Sequence, residues 1–310
     1  MKLIRGTTPC NSQHKACVAT IGNFDGLHKG HRKIIEQVKA EGRRLNCLTS
    51  VISFEPLPTE FFSQKFHKDL PGRIYPYRDK ARILNSLGID EFVCLNFTQV
   101  LSEMEPEDFI KEILLERLNI KYLVIGDDFR FGKQRRGDFE MLSRVGKQFG
   151  MEVSNTATIQ QNGKRVSSTL VRKHLSKGDV FAANELLVDK YQLSGRVRHG
   201  DKRGRTIGFP TLNQSLPEDI VAARGAYAVK VHGLSEKALI GVANIGNRPT
   251  VSGLETRLET HIFDFDQEVY GKKVCVELVQ FLRPEQKFES FDDLMLQIKK
   301  DSKKAREVLA

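Results

Sequence analysis

Short apolar runs alternate with amphipathic stretches along the first half of the chain. CVATI (residues 17–21), CLTSVISF (47–54), EFVCL (91–95) and YLVIG (122–126) have strand length and β-branched content. RKIIEQVKA (32–40) carries its apolar residues at helical spacing between the first two runs. Strands alternating with helices predict a parallel sheet covered on both faces. In the doubly wound order 3-2-1-4-5 the first and fourth runs are neighbours, and ligands bind beyond the carboxyl ends of the strands at that switch point. A proline-containing, aromatic-rich stretch, residues 57–77, reads as a long loop.

The pattern changes after the helical segment DVFAANELL (179–187). From Tyr191 onward, YQLSGRV, AYAVKVHG, ALIGVANI, TRLETHIFDF and KVCVELVQFL are short β-rich runs punctuated by Gly, Asn and Pro, which predicts a barrel. A last helix places Phe291, Leu294, Met295 and Ile298 on one apolar stripe, expected to pack against the barrel. The change sets a boundary near Val188, giving domains of residues 1–187 and 188–310. A chain of 310 residues is long enough for two cores.

Five scattered cysteines, odd in number and without a CxxC pair, favour reduced thiols in a cytoplasm over disulfides or zinc. The start MKLIRGTTPC lacks the apolar core of a signal peptide, and no run of about 18 apolar residues occurs anywhere. A soluble cytoplasmic protein is expected, with no membrane partner. The formal charge of +10 suits either nucleic acid or small phosphate-bearing molecules. The basic residues are spread along the chain, and no nucleic-acid motif accompanies them, so no nucleic-acid partner is expected. Lys299 to Arg306 reads as the solvated face of the last helix.

The chemistry concentrates in GNFDGLHKGH (22–31), at the turn from the first strand to the first helix. The free N–H groups and positive dipole end of a starting helix welcome an anion there. Gly26 and Gly30 let backbone approach a ligand, and His28 and His31 offer hydrogen bonds or positive charge to phosphate oxygens. A metal site is the rival reading, but no third ligand has suitable spacing, and Lys29 favours an anion. GDDFRFGKQRRGD (126–138) follows the fourth strand, so two polar loops are expected to converge on one crevice. VSSTLVRKHL (166–175) sets Ser167, Ser168 and Thr169 ahead of a helix, where an N-cap is the plain alternative to a ligand contact.

The first of these segments resembles the HxGH signature of the nucleotidyltransferase superfamily, in the fuller form found in bacterial FAD synthetases. The resemblance implies a Rossmann-like α/β domain in which Gly22, Asn23, Phe24, Asp25, Gly26 and Gly30 bind ATP or flavin around His28 and His31. It implies contact of Asp128 with nucleotide or flavin phosphate, although some relatives have Asn there. It also implies that Ser167, Ser168, Thr169 and Arg172, in an SSTxxR block, grip the ATP phosphates, with Arg172 bidentate on the pyrophosphate leaving group. Leu57 stands where many relatives carry histidine, so any phosphate role at that position is lost.

HGDKRGRTIGFPTLN (199–213) makes a glycine-rich basic cradle. GRVRHGDK is not a phosphate loop of the Walker type, because Asp201 occupies the lysine position. The block resembles the riboflavin kinase signature GFPTxN, with Leu212 where Ala is common. That resemblance implies an all-β Greek-key barrel of the riboflavin kinase type. Gly204, Gly208 and Pro210 would then bind substrate, and Thr211 and Asn213 would hold a magnesium ion and ATP phosphates. A turn between strands is the alternative for Thr211 and Asn213. In LETHIFDF (258–265) the resemblance nominates Glu259 as the base that deprotonates the riboflavin ribityl hydroxyl, with His261 in support. ANIGNRPT (243–250) and YGKKV (270–274) extend the likeness over nearly the whole chain.

The chain is therefore similar to bacterial bifunctional riboflavin kinase and FAD synthetase. Riboflavin would be phosphorylated with ATP to FMN, and FMN adenylylated with a second ATP to FAD and pyrophosphate. ATP, riboflavin and FMN are the expected small-molecule partners, and self-association is expected to be weak at most. A single surviving activity with one decayed site is the nearer alternative, and a basic nucleic-acid-binding protein the farther one.

Overall fold

A computed structural model of the chain describes residues 1–6, 14–161, 163–199, 209–250 and 253–310. It divides into two compact units, residues 1–71 with 80–166 and residues 72–79 with 167–310. The Gly204 and Gly208 positions lie outside the described residues.

The first unit is a six-stranded parallel sheet. In chain order its elements are β1 (Lys2–Arg5), β2 (Cys17–Ile21), α1 (Lys29–Leu45), β3 (Leu48–Glu55), α2 (Pro58–Lys65), α3 (Tyr77–Ser86), which begins in the second unit, and β4 (Glu91–Asn96). There follow α4 (Gln99–Glu103), α5 (Pro106–Asp108), a π-helical stretch Phe109–Arg117, β5 (Ile120–Gly126), α6 (Phe139–Gln148), β6 (Glu152–Thr156) and the hairpin β7 (Gln160–Gln161) and β8 (Lys164–Arg165). The strand order is β1-β4-β3-β2-β5-β6. The four apolar runs are β2 to β5 in the expected doubly wound order, with β6 beyond β5 and β1 added at the other edge. Those two edge strands carry too few apolar residues to stand out as a pattern.

Every residue of β2 is buried, as a central strand covered on both faces requires. Cys17, Ala19 and Ile21 pack in one core with Phe109, Ile110, Ile113 and Leu114 of the π-helical stretch and Leu142 and Val145 of α6. Helix α1 packs on β2, β3 and β5. The long loop expected over residues 57–77 is corrected: α2 occupies its start. Pro58 sits at the first helical turn, where its missing N–H is no loss, and the Glu60 carboxylate accepts the Leu57 N–H at 2.9 Å.

The second unit adds α7 (Ser168–Leu175) and α8 (Val180–Leu186), then β9 (Gln192–Arg196), β10 (Leu212–Leu216), β11 (Gly225–His232), β12 (Leu239–Thr250), β13 (Gly253–Ile262), β14 (Lys273–Pro284) and α9 (Phe291–Leu309). The strands are antiparallel in the order β10-β13-β12-β11-β14-β9, a nearly closed barrel. Its seam lies between β9 and β10, bridged at Arg198 and Asn213, and Arg78 and Asp79 bond both edges. The Arg78 guanidinium donates to the Ser194 carbonyl of β9 and, at 3.2 Å, to the Ser215 carbonyl of β10. The buried Asp79 carboxylate accepts the Ser194 N–H at 3.1 Å. Backbone groups that sheet pairing leaves over at the seam thereby gain partners.

Helix α9 corrects a second expectation. Its buried residues are Asp301 and Ala305, and Ala305 packs with Ala228, Val242 and Phe263. Phe291 is 53% exposed, and the stripe it heads is a cavity wall rather than a fully packed face. Asp301 is held by Arg283 of β14, Nε to both carboxylate oxygens at 3.1 and 2.9 Å and Nη2 at 2.8 Å, and by Gln297 at 2.8 Å. Removing one member leaves a poorly solvated charge. Asp301→Ala is expected to destabilise the second unit by about 3 kcal/mol, read as an earlier urea transition in fluorescence or circular dichroism. An unshifted transition would show that the pair does not hold α9.

Candidate active sites

In the first unit the strand-to-helix turn after β2 is built around a reciprocal cap. His28 is the N-cap of α1, and its Nδ1 accepts the His31 N–H at 3.4 Å. His31 Nδ1 in turn accepts the His28 N–H at 3.3 Å. Two orphan donors of the helix start are satisfied, with histidines in the places usually taken by a short hydroxyl residue and a glutamate. An Nδ1 that accepts has no proton, so in the neutral ring the proton sits on Nε2. Both histidines therefore present Nε2–H donors.

The rings stack at 3.8 Å between centroids, and Phe24 packs on His31 at 4.8 Å. Phe24 holds a left-handed φ of 45° and is buried, as is Asp25. Gly22 leaves room for the Phe24 ring, since a Cβ there would lie 3.3 Å from it. Burial pushes the His28 pKa down to about 4, aided by the positive charge of Arg165. His31 is lowered as well, by burial and then by His28 and Lys80. Of the two offers expected from these rings, hydrogen bonds or positive charge, the lowered pKa values favour the neutral, hydrogen-bonding form.

The loop after β5 carries Asp127 and Asp128. Asp128 bonds Arg165 of β8 at 2.7 Å, and Asp127 accepts the Thr158 hydroxyl at 2.6 Å. The hairpin also reaches Lys29, whose Nζ donates to Gln161 Oε1 at 3.3 Å. Phe54, at the carboxyl end of β3, shares an aromatic cluster with Phe97, Phe61 and Phe62. Leu57 is buried, so this side chain serves packing.

Ser167, Ser168, Thr169 and Arg172 belong to the second unit. Ser167 caps α7, its hydroxyl accepting the Leu170 N–H at 3.3 Å, and Arg172 Nε donates to the Gly72 carbonyl at 2.8 Å. The N-cap alternative therefore holds for Ser167.

The second unit carries an open cavity of about 710 Å³ lined by barrel strands, the segment 265–270 and α9. Pro210, Thr211, Asn213 and Glu259 all line it. Asn213 of β10 stands opposite Glu259 of β13, which stands opposite Asn244 of β12, so register alone sets these three in one row. His261 Nδ1 donates to the Pro210 carbonyl at 2.9 Å, and its ring meets Phe209 edge-on at 5.2 Å. It anchors the FPT segment. The Asn213 amide donates to the Thr211 carbonyl at 3.3 Å. Phe291, Leu294 and Ile298 form an apolar wall of the same cavity.

A family model described as FAD synthetase matches residues 10–170, and one described as riboflavin kinase matches residues 187–309. A curated bifunctional riboflavin kinase/FMN adenylyltransferase of Escherichia coli strain K12 is 43% identical over 308 residues, 99% of this chain and 97% of its own length. This chain belongs to the bifunctional riboflavin kinase/FMN adenylyltransferase family. Members from Haemophilus influenzae and Pseudomonas fluorescens are 42% and 39% identical, over 99% and 100% of this chain and 98% of their own lengths. A crystal structure described as a macrolide-efflux protein from Streptococcus pneumoniae shares the fold, with a TM-score of 0.80 and 28% identity over 99% of both chains.

The FAD synthetase match spans the histidine cap, and the riboflavin kinase match spans the barrel cavity. Sequence reasoning missed Lys80, Arg165 and Asn244. Lys80 is 1% exposed and its Nζ lies 3.5 Å from the Asn23 carbonyl. No spacing linked it or Arg165 to the turn, whereas Asn244 stands in the ANIGNRPT block already noted.

Gly30 yields a test of the cap. A Cβ there would sit 3.0 Å from His28 Cε1 and Nδ1. Glycine to alanine in a helix ordinarily stabilises by roughly 0.5–1 kcal/mol. Gly30→Ala is instead expected to destabilise the first unit by about 1–2 kcal/mol through overpacking, read from urea unfolding. A gain in stability would show that the His28 ring has room to move.

Proposed function

We propose that this chain makes both flavin cofactors, converting riboflavin and ATP to FMN and ADP, and FMN and ATP to FAD and pyrophosphate. The observation that carries the reading is the pair of separate constellations, the histidine cap in one unit and the Asn213–Glu259–Asn244 row in the other, each within its own family match. We place the functional boundary between residues 187 and 188.

In the barrel, Glu259 accepts the proton of the terminal ribityl hydroxyl as its oxygen attacks the γ-phosphorus in line and ADP departs. The apolar wall of Phe291, Leu294 and Ile298 suits the flavin ring, and the polar row suits the ribityl chain. Thr211 and Asn213 offer a hydroxyl and an amide oxygen, hard donors that fit magnesium, and among the described residues no cluster of three or more His, Cys, Asp or Glu competes for it. When bound, the ion neutralises phosphate oxygens.

At the strand-to-helix turn, the FMN phosphate attacks the α-phosphorus of ATP. The Nε2–H groups of His28 and His31 donate to oxygens that gain charge, and the α1 N-terminus adds its dipole. Gly22, Asn23 and Gly26 shape the approach. On the strength of the motif, Ser168, Thr169 and Arg172 serve the ATP phosphates. Substrates are small molecules, and the scattered cysteines without a CxxC pair suit a reducing cytoplasm. Among the described residues no helix is long and apolar enough to cross a membrane.

His31→Ala is expected to lower FAD formation from supplied FMN by at least a hundredfold while FMN formation continues, and Glu259→Ala to do the reverse. Separation of the flavins by chromatography reads both. Loss of both reactions from either substitution in a folded protein would sink the two-site assignment.

The low histidine pKa values set a pH dependence. His28 titrates near 4 in the folded chain against 6.5 for an ordinary histidine, so the unfolded chain binds the extra proton between those values. Its stabilising contribution is complete above pH 6.5 and is lost as pH falls toward 4. FAD formation should stay flat from about pH 7 to 8.5, because neutral donors do not titrate there. A fall approaching tenfold per unit over that range would mean that an imidazolium is required.

A further inference from the structure

We propose that Arg165 is a polyphosphate-binding residue of the adenylyl-transfer site, and that Asp128 acts on Arg165 rather than on the substrate. This inference rests on the adenylyl-transfer reading of the histidine turn. Arg165 ends the β7–β8 hairpin, one residue before Val166, whose carbonyl lies 3.8 Å from where a Gly30 Cβ would stand. The hairpin is fastened to the same turn by Lys29 Nζ on Gln161 Oε1 at 3.3 Å, and at its base by the Val166 N–H on the Ile159 carbonyl at 3.0 Å. The positive charge of Arg165 lies close enough to His28 to depress its basicity. A phosphate held by the His28 Nε2–H therefore lies within the field of this guanidinium.

Among the described residues, Arg165 pairs with two carboxylates. Its Nη2 is 2.7 Å from Asp128 Oδ2 and 3.8 Å from Asp127 Oδ1. Asp127 is separately engaged by the Thr158 hydroxyl, which holds its pKa below the usual range. The Arg165 side chain is 50% exposed and that of Asp128 67%. Such an exposed pair is held weakly, so an incoming polyphosphate can replace the carboxylate on the guanidinium at little cost. Phosphate offers the same bidentate geometry with more charge. A carboxylate facing a polyphosphate is repulsive by itself, which makes a direct Asp128 contact to phosphate the poorer use of that side chain. Asp128 instead keeps Arg165 extended toward the turn until the anion arrives, then gives it up.

The test measures ATP saturation of FAD formation from supplied FMN, with riboflavin phosphorylation by the same preparations as a check on folding. Arg165→Ala should raise KM for ATP by roughly tenfold or more, as loss of a charge-assisted bond to phosphate implies, and Arg165→Lys should recover part of it. Asp128→Asn should lower KM for ATP by about twofold to fivefold, and that gain should vanish in the Arg165→Ala background. An unchanged KM in Arg165→Ala would overturn the proposal while leaving the adenylyl-transfer reading intact. A raised KM in Asp128→Asn that persists in the double variant would return Asp128 to direct substrate contact and overturn the second half. Failure of the parent protein to make any FAD would strike the underlying reading itself.

Discussion

The reciprocal hydrogen bonds between His28 and His31 are the constraint on which the start of α1, and with it the proposed adenylyl-transfer site, depends. A helix start leaves backbone N–H groups without partners, and a site that uses them for anions must still satisfy those not aimed at the ligand. Here the two histidines take up a pair of those donors through their Nδ1 atoms, and the same bonds fix which nitrogen carries the proton. Protonating either Nδ1 would break the cap. Structure and electrostatics thus agree: burial holds both rings neutral, and neutrality is the state the cap requires.

The second unit solves a related problem at the seam of its barrel. Ladder pairing runs from β10 to β9, the two edges meet only at the Arg198–Asn213 bridge, and Arg78 and Asp79 bond backbone groups along the rest of the seam. The row Asn213–Glu259–Asn244 is set by the register of β10, β13 and β12, which decides which side chains share a face. A slip of one residue would turn Glu259 away from the cavity. The C-terminal helix is fixed in turn by Arg283 on Asp301 and by Arg306, which bonds Asp264 at 2.9 and 3.1 Å and lies 4.2 Å from the Phe263 ring centroid. An apolar stripe is thereby left facing the cavity.

Much of this was legible in the sequence because it is written in local patterns. The four central strands declared themselves by unbroken apolar runs, and the histidine turn by its place between a strand and an amphipathic helix. What stayed hidden is tertiary. Helix α2 arose where proline and aromatic residues suggested a loop, because Pro58 at a first turn starts a helix as readily as it ends one. The Phe291 stripe had the right spacing for core, and only the position of Asp301 shows that the helix docks through its later turns. Arg165 lies 137 residues beyond His28 and Lys80 lies 52 beyond it, distances at which no spacing rule speaks. The neutral state of the histidines likewise follows from burial, which a motif does not record.

In the proposed reading, one chain carries two consecutive flavin reactions at separate sites. The most direct measurement is a time course of the purified protein with riboflavin, excess ATP and magnesium, with flavins resolved by chromatography and mass detection. FMN is expected first, then FAD rising as FMN falls, with two ATP consumed per FAD. Absence of conversion from riboflavin and from supplied FMN alike, in folded protein, would contradict that reading.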